Sequence, residues 1–551
     1  MNKNVLSVSF TFADGTLHNS KMIKAITLLL TLAFTMICTA QTTRQESAHD
    51  SIDILDKIHN RHPASLPQAP DPADIARLRT KHLWRATAET AGMNIGLWAF
   101  DRYVQKGHYA YISWNTIKEN FRHGFEWDND HLGTNMFAHP YNGSIFFNAG
   151  RSNGYNFWAS ELFAIGGSAM WEMFMECEYP STNDIIATPI GGAAIGEVLY
   201  RTSDLILNDR TTGEERFGRE LAAFVVNPMR GVTRLITGDM WRHRSTSGRM
   251  FGIPPIYVEI GLGGRILAFH DDQSASTSGG TAEVYIEYGD RYAHTCKAPY
   301  DYFSFYLQLN AIKKQPLLSR VEIIGRLLSC EVVDKSKLKV SAGLYQHFDY
   351  FDSDTIVRHE MSVDPLRPCA VPYKLGTPAS VGGGLMFQST PTPGIRLDGV
   401  LHANGVLLAG ILTDFYRDYN RDYNWGSGFS IKAGLNLRLP KTRWTFSVAD
   451  QVYRLYTWQG YDRNADWSLT PSGKPVNVQG DSSKATFNHF EAVVRYRLFN
   501  HLHVSAGVDF YRRFTHYNDI DAYIPEIQCH VHGLGIKSNQ VGVHLMFTYK
   551  I

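Results

Sequence analysis

The second half of the chain alternates. From residue 255 to the end, runs of about 7–13 residues place apolar and polar side chains on opposite sides, with turn-rich stretches between them. The last run is the clearest. Val541, Val543, Leu545, Phe547, Tyr549 and Ile551 share one face, and Gly542, His544, Thr548 and Lys550 share the other. The run before it sets Leu502, Val504, Ala506, Val508 and Phe510 against His503, Ser505, Asp509, Tyr511 and Arg513. Roughly twelve such runs fit after residue 255, an even number that suits a closed bacterial barrel.

A period of two says half-buried strand and no more; a soluble sandwich or lipocalin-like barrel would show it with the faces reversed. Three features favour the membrane barrel. Several runs reach the ~10 residues that a tilted spanning strand needs. The connections at 352–378 and 460–484 are long and polar. The chain ends on an aromatic-bearing strand, which resembles the assembly signal of outer-membrane barrels. The apolar face is then expected to meet lipid, with Glu283, Glu287, Lys432, Arg495, Arg497 and Asp509 lining a wet lumen.

The first half follows another period. Residues 75–104, 157–178, 189–207 and 231–242 read as helices, and Gly192 and Gly196, four apart, would let the third press closely on a neighbour. The expected fold is therefore α+β: an N-terminal helical domain (74–250) followed by an antiparallel transmembrane β-barrel of about twelve strands (251–551). Ahead of these lie a polar, proline-rich linker (41–73) and residues 1–40, read as a start extension plus a signal peptide.

The signal begins at Met22: Lys24 is the charged region, residues 25–37 the apolar core, and Cys38-Thr39-Ala40 a small-residue cleavage site. A core of 13 residues is short of the ~20 that span hydrocarbon. The expected location is the cell outer membrane, reached through that signal, with outer-membrane lipids and the barrel-assembly machinery as partners. Tyr plus Phe number 58 and Gly 46, which suits aromatic girdles and kinked strands. Removing residues 1–40 takes away three lysines and one aspartate, leaving 51 basic and 52 acidic side chains, so nothing suggests nucleic acid as a partner. The five remaining cysteines (177, 296, 330, 369, 529) have no Cys-x-x-Cys spacing and are not a disulfide scaffold.

Whatever chemistry there is falls within residues 121–204. On a helix over 157–178, Glu161, Ser168 and Glu172 lie within about 40° of one another, with Glu176 beside them and a nearly all-apolar remainder. So narrow an acidic stripe implies a largely buried helix with its carboxylates aimed at partners. One reading is a general acid/base site built on His139, Glu161 and Glu172. Asn135, Arg151, Ser160, Glu176, Asn183, Asp184 and Glu197 are the candidate binding groups around it, and Ser144, Ser152 or Ser160 are conceivable nucleophiles. The other reading is a helical plug or periplasmic domain whose acids pair with barrel Arg and Lys, because buried charges need partners with or without catalysis. No cofactor is expected. No metal is expected either: His123, His131 and His139 are eight apart and do not stack on one helical face.

The ordered motifs His139-Pro140-Tyr141-Asn142-Gly143-Ser144, residues 149–155, Phe157-Trp158-x-Ser160-Glu161, Gly167-Ser168-x-x-Trp171-Glu172, Pro180-Ser181-x-Asn183-Asp184 and Gly191-Gly192-x-x-x-Gly196-Glu197 resemble the domain of unknown function 3943 family. The likeness covers about 80–110 residues. Phe146 stands where the family pattern has Tyr, and Gly150 where it has Ala. The resemblance implies an envelope protein of Gram-negative bacteria with a barrel-like C-terminal region, and it implies no activity. The expected function is a barrel with a structural, transport or ligand-binding role, the ligand being small or lipidic. The alternative is an outer-membrane hydrolase or transferase acting on lipid or glycan esters.

Overall fold

In the computed structural model the alternating half of the chain closes on itself. The structure describes residues 68–269, 276–293, 296–353, 371–415, 421–460, 477–524 and 529–551, apart from the side chains of 519–532. The expected signal peptide, nearly all of the linker, and Cys369 lie outside these residues.

Twelve strands form the wall: β1 (Ile256–Phe269), β2 (Thr277–Tyr288), β3 (Phe303–Ile312), β4 (Leu318–Lys335), β5 (Leu338–Asp352), β6 (Lys374–Thr392), β7 (Ile395–Leu412), β8 (Tyr423–Leu439), β9 (Trp444–Tyr456), β10 (Ser483–Arg497), β11 (Leu502–Ile524) and β12 (Cys529–Lys550). Each pairs antiparallel with its sequence neighbours, and β1 pairs with β12 to close the ring. Closure leaves no strand edge with unpaired amides. The start of β1 and the end of β12 share one rim, the terminal end, which also carries most of the short turns. The opposite rim, the loop end, carries the long connections 353–373, 413–422 and 457–482.

Away from the helices, the outward face is apolar and exposed, as at Leu262, Ile266, Leu401, Ile431, Val543, Leu545 and Phe547. The inward face carries the charges, with Glu283, Glu287, Lys432 and Arg495 lining the lumen. Apolar outward and polar inward is the sense of alternation that a barrel in lipid requires.

Eight α-helices precede the barrel among the described residues: α1 (Pro72–Leu78), α2 (Leu83–Phe100), α3 (Trp114–His123), α4 (His139–Ser152), α5 (Phe157–Met170), α6 (Asp184–Ile206), α7 (Gly213–Val226) and α8 (Pro228–Thr237). The expected helix at 189–207 starts earlier, at Asp184, and carries Pro189 inside it. The stretch 157–178 is helical to Met170 and then winds a wider turn over Trp171–Met175. Periodicity missed α3, α4 and α7. In α4, Pro140, Asn142 and two glycines hide the apolar pattern, although Pro140 sits at a first-turn position that tolerates it.

The glycines of α6 do face a neighbour. A Cβ on Gly143 of α4 would fall 1.8 Å from the Thr188 carbonyl, and one on Gly192 would fall 2.5 Å from the Gly143 backbone. The two helices run side by side with almost no side-chain thickness between them.

The helices neither plug the lumen nor sit beneath it. They lie against the outer wall. Phe303, Val321, Ile323, Phe348, Tyr350, Leu408, Tyr423 and Trp425 share one apolar core with Met136, Phe146, Phe147, Phe157, Ala194 and Val198 of the helical region. The sequence neighbours of those wall residues, among them Tyr302, Ser304, Arg320, Glu322 and Ile324, point the other way and line the lumen. The covered band runs diagonally. It starts at the terminal end of β2–β3, where Phe157 stacks on Tyr300 at 5.5 Å. It ends at the loop end of β8, where Trp127 meets Trp425 at 5.8 Å. The expectation of a plug fails because the strands' own side chains fill the bore, and because the outward face of this band is rich in aromatic side chains.

Candidate functional site

Three segments converge at the loop end of this helical layer: the loop 126–131, the start of α4, and the turn leading into α6. The loop is anchored to the wall. Its Asp128 carbonyl accepts from Arg421 Nη1 at 2.9 Å and from Trp425 Nε1 at 3.2 Å, and its Asp130 carbonyl accepts from the Tyr423 hydroxyl at 3.0 Å. The Asp128 amide donates to Asn183 Oδ1 at 2.9 Å, and Asn183 Nδ2 donates to Asp184 Oδ1 at 2.9 Å. The Ser181 amide donates to Glu172 Oε2 at 2.7 Å. Asn120 Nδ2 is directed at the Glu172 and Glu176 carbonyls.

The result is a knot of carboxylates around one imidazole. A ligand atom from each of Asp128, Asp130 and His139 lies within 4.8 Å of the others, and His139 Nε2 is 3.9 Å from Asp184 Oδ2. Glu172 and Asp184 are almost wholly buried. Burial, then the charge of Asp128, pushes the Asp184 carboxyl up to about 6 against the pull of His139. Burial first, and the neighbouring carboxylates second, hold Asp130, Glu172 and Glu176 well above the usual carboxylate range. Such a group binds either protons or a cation that replaces them.

Of the ten residues singled out from the sequence, His139, Glu172, Glu176, Asn183 and Asp184 come together here. Asn135 stands beside them on the wall side, its Nδ2 donating to the Tyr423 hydroxyl at 2.8 Å. The others lie elsewhere. Arg151, Glu197 and Arg201 form a buried ion network farther along α4 and α6, with Arg151 Nε–Glu197 Oε2 at 2.7 Å and Arg201 Nε–Glu197 Oε1 at 2.8 Å. Glu161 lies beside Tyr300 on α5, so it does not join His139 and Glu172. Ser160 packs under Gly150, and its hydroxyl is directed at the Tyr155 carbonyl. Ser144 donates to the Tyr141 carbonyl at 2.6 Å, and the Ser152 hydroxyl is buried without a partner. None of these three serines is hydrogen-bonded to His139 among the described residues. Asp128 and Asp130 complete the cluster, and helical spacing could not find them because they sit on a loop. Their signal was the unusual Trp127-Asp128-Asn129-Asp130 run itself.

The lumen offers a second chemistry. At the terminal end it opens into a cavity of about 340 Å³ lined by Glu259, Glu283, Glu287, Arg291, Arg438 and Arg495 among others. Deeper in, Arg320 of β4 pairs with Glu491 of β10 across the bore at 3.0 Å, and Arg265 of β1 pairs with Asp509 of β11 over the intervening β12 at 2.9 Å. Beyond these pairs a buried layer of Phe351, Tyr373, Leu375, Ile411, Tyr453 and Phe487 fills it. Arg513 and Asp414, paired at 2.7 Å, lie above that layer. His489, Glu491 and Asp509 also approach as a ligand set would, but two of the three are already held by guanidinium groups.

Residues 124–229 match a family described as a domain of unknown function (DUF3943), a span that holds the carboxylate knot and runs from the loop before α4 to the first residues of α8. No curated protein matches the chain. Among solved structures, the chain is similar to the NanC porin at 10% identity and a TM-score of 0.22, covering 52% of this chain and 98% of that one. It is similar to the toluene transporter TodX of Pseudomonas putida at 9% identity and 0.20, covering 53% and 89%. An anion-selective porin from Comamonas acidovorans matches at 8% identity and 0.20, covering 54% and 99%.

Proposed function

We propose that the protein is an outer-membrane barrel that binds a divalent cation at the loop end of its helical layer and does not act as an open pore. One observation carries the reading: Asp128, Asp130 and His139 present ligand atoms within 4.8 Å of one another, inside a ring of further carboxylates. Left to themselves, these groups must stay partly protonated or repel one another. A cation removes both difficulties.

A set rich in carboxylate oxygen with one imidazole suits a hard or borderline ion such as Ca²⁺, Mg²⁺ or Mn²⁺. Its work would be mechanical. The loop 126–131 is hydrogen-bonded to the wall through Arg421, Tyr423 and Trp425, and the turn into α6 carries Asp184. A shared ion would clamp the helical layer to the barrel at that rim. The membrane reading rests on the closed ring, its apolar outward belt and its polar lumen. Export through a signal peptide, insertion by the barrel-assembly machinery and a surround of outer-membrane lipid belong to the same proposal. Ester hydrolysis by a Ser–His pair gains no support, since none of the candidate serines reaches His139.

The test is calorimetric titration of folded, EDTA-stripped protein with CaCl₂, MgCl₂ and MnCl₂, beside an Asp128→Asn/Asp130→Asn variant. Saturable binding that the double variant loses supports the site. Equal titration curves for the two proteins, or none in either, refute it.

A further inference from the structure

We infer that the helical layer is itself immersed in the bilayer, with lipid acyl chains as the occupant of its outer face. The inference rests on the membrane placement above and goes beyond it. None of the described helices is long and apolar enough to cross a membrane by itself. The sidedness of the helices, however, is the reverse of that of a water-soluble domain.

In α2 the charged and amide side chains face protein. Arg85 bonds to Asn153, Glu89 accepts from Asn153 Nδ2 at 2.6 Å and from Thr233 Oγ at 2.9 Å, and Asn94 donates to the Gly167 carbonyl at 2.9 Å. The exposed positions of the same helix are Leu83, Trp84, Thr87, Ala88, Gly92, Ile95, Gly96 and Phe100, without a charge among them. Helix α5 repeats the arrangement. Ser160 and Ser168 are buried while Trp158, Leu162, Ile165 and Gly166 are exposed. A helix at a water boundary turns its charges outward. These two expose no charge and turn polar side chains inward, as a lipid-facing helix must.

Two further observations identify lipid rather than a protein partner. At 18 residues, α2 is about 27 Å long, close to the roughly 30 Å hydrocarbon core. It packs on α4 and α5, and the band of wall that the helical region covers runs from the terminal end to the loop end, the same span within which the barrel's exposed Leu262, Ile266, Val543 and Leu545 lie. The helix nearer the loop end, α3, again exposes charge, at Lys118, Glu119 and Arg122 beside Trp114 and Phe121, as an interfacial helix does.

The inference is tested on the full-length folded protein in phosphatidylcholine vesicles with or without bromine on the acyl chains. The emission of single tryptophans is read as the difference on Trp84→Phe, Trp158→Phe and Trp444→Phe substitution. Trp444 lies on the outward face of β9 and reports the barrel itself. The emission lost with Trp84 and Trp158 should be quenched by bromolipid as strongly as that lost with Trp444, and should resist aqueous iodide. Quenching of Trp84 and Trp158 by iodide, or by neither agent, while Trp444 is quenched by bromolipid, overturns the lipid-facing layer and leaves the membrane barrel standing. Failure of bromolipid to quench Trp444 overturns the membrane placement and this inference with it.

Discussion

Glu197→Gln should loosen the helical layer while leaving the barrel closed. The Glu197 carboxylate is inaccessible to solvent and serves two guanidinium groups: Arg151 through Nε at 2.7 Å and Nη2 at 3.0 Å, and Arg201 through Nε at 2.8 Å. Arg201 also donates to the Pro299 carbonyl at 2.9 Å, so it ties α6 to the β2–β3 connection, and its guanidinium lies over the Phe251 ring at 3.9 Å. Glutamine keeps the shape and one acceptor but removes the charge, leaving two buried cations without a counter-ion. Removing one partner of a buried pair typically costs about 3–5 kcal/mol. The retained amide oxygen places this substitution near 3 kcal/mol, roughly a factor of 100 in an equilibrium constant. That is a large share of the 5–15 kcal/mol that typically stabilises a domain. The wall does not depend on this network, since each of its strands is held by two neighbours. The variant should therefore keep its heat-dependent shift on unboiled gels while trypsin cuts α4–α6 faster and the urea midpoint of layer tryptophan emission falls. A loss below about 1 kcal/mol, the usual worth of an exposed pair, with unchanged proteolysis, would refute the reasoning.

Other outcomes follow from the same geometry. Burial pushes the Asp184 carboxyl up to about 6 from its ordinary 3.8, so its contribution to stability is fully present below pH 3.8 and is lost as pH rises through 6. Cation-free protein should lose stability between pH 4 and 7 relative to Asp184→Asn, and a saturating divalent ion should restore it at pH 7 and not at pH 4; parallel curves for the two proteins would sink the assignment. Gly143→Leu places a side chain where the Thr188 carbonyl already stands, so α4 and α6 must part, and the layer should become protease-sensitive. Planar-bilayer recordings of the wild-type protein should show no steady conductance, because the Phe351–Tyr373–Phe487 layer fills the bore, whereas Tyr373→Ala/Phe487→Ala should admit small ions; a steady wild-type current would show that the bore opens.

Period-two alternation located the strands, their approximate number and the face that carries charge, because successive side chains of a strand point to opposite sides; that the strands close, and that the apolar face is the outer one, was decided by the pairing of β1 with β12. Val543 and Leu545 outside, His544 and Lys550 inside, are readable one residue at a time. The family motifs likewise marked where the carboxylates would gather. Tertiary structure decided the rest. Where the helices sit follows from which wall carries Phe303, Ile323, Phe348, Tyr423 and Trp425 outward, and an outward aromatic looks the same in sequence whether a helix or a lipid covers it. Which acids meet was equally hidden: Glu161 and Glu172 share a stripe on an ideal helix, yet the wide turn after Met170 carries Glu172 to the loop end and leaves Glu161 beside Tyr300. Asp128 and Asp130 reach His139 only because Arg421, Tyr423 and Trp425, some 290 residues away in the chain, hold their loop in place. A local pattern records what each side chain needs around it; which distant segment supplies it is settled by packing.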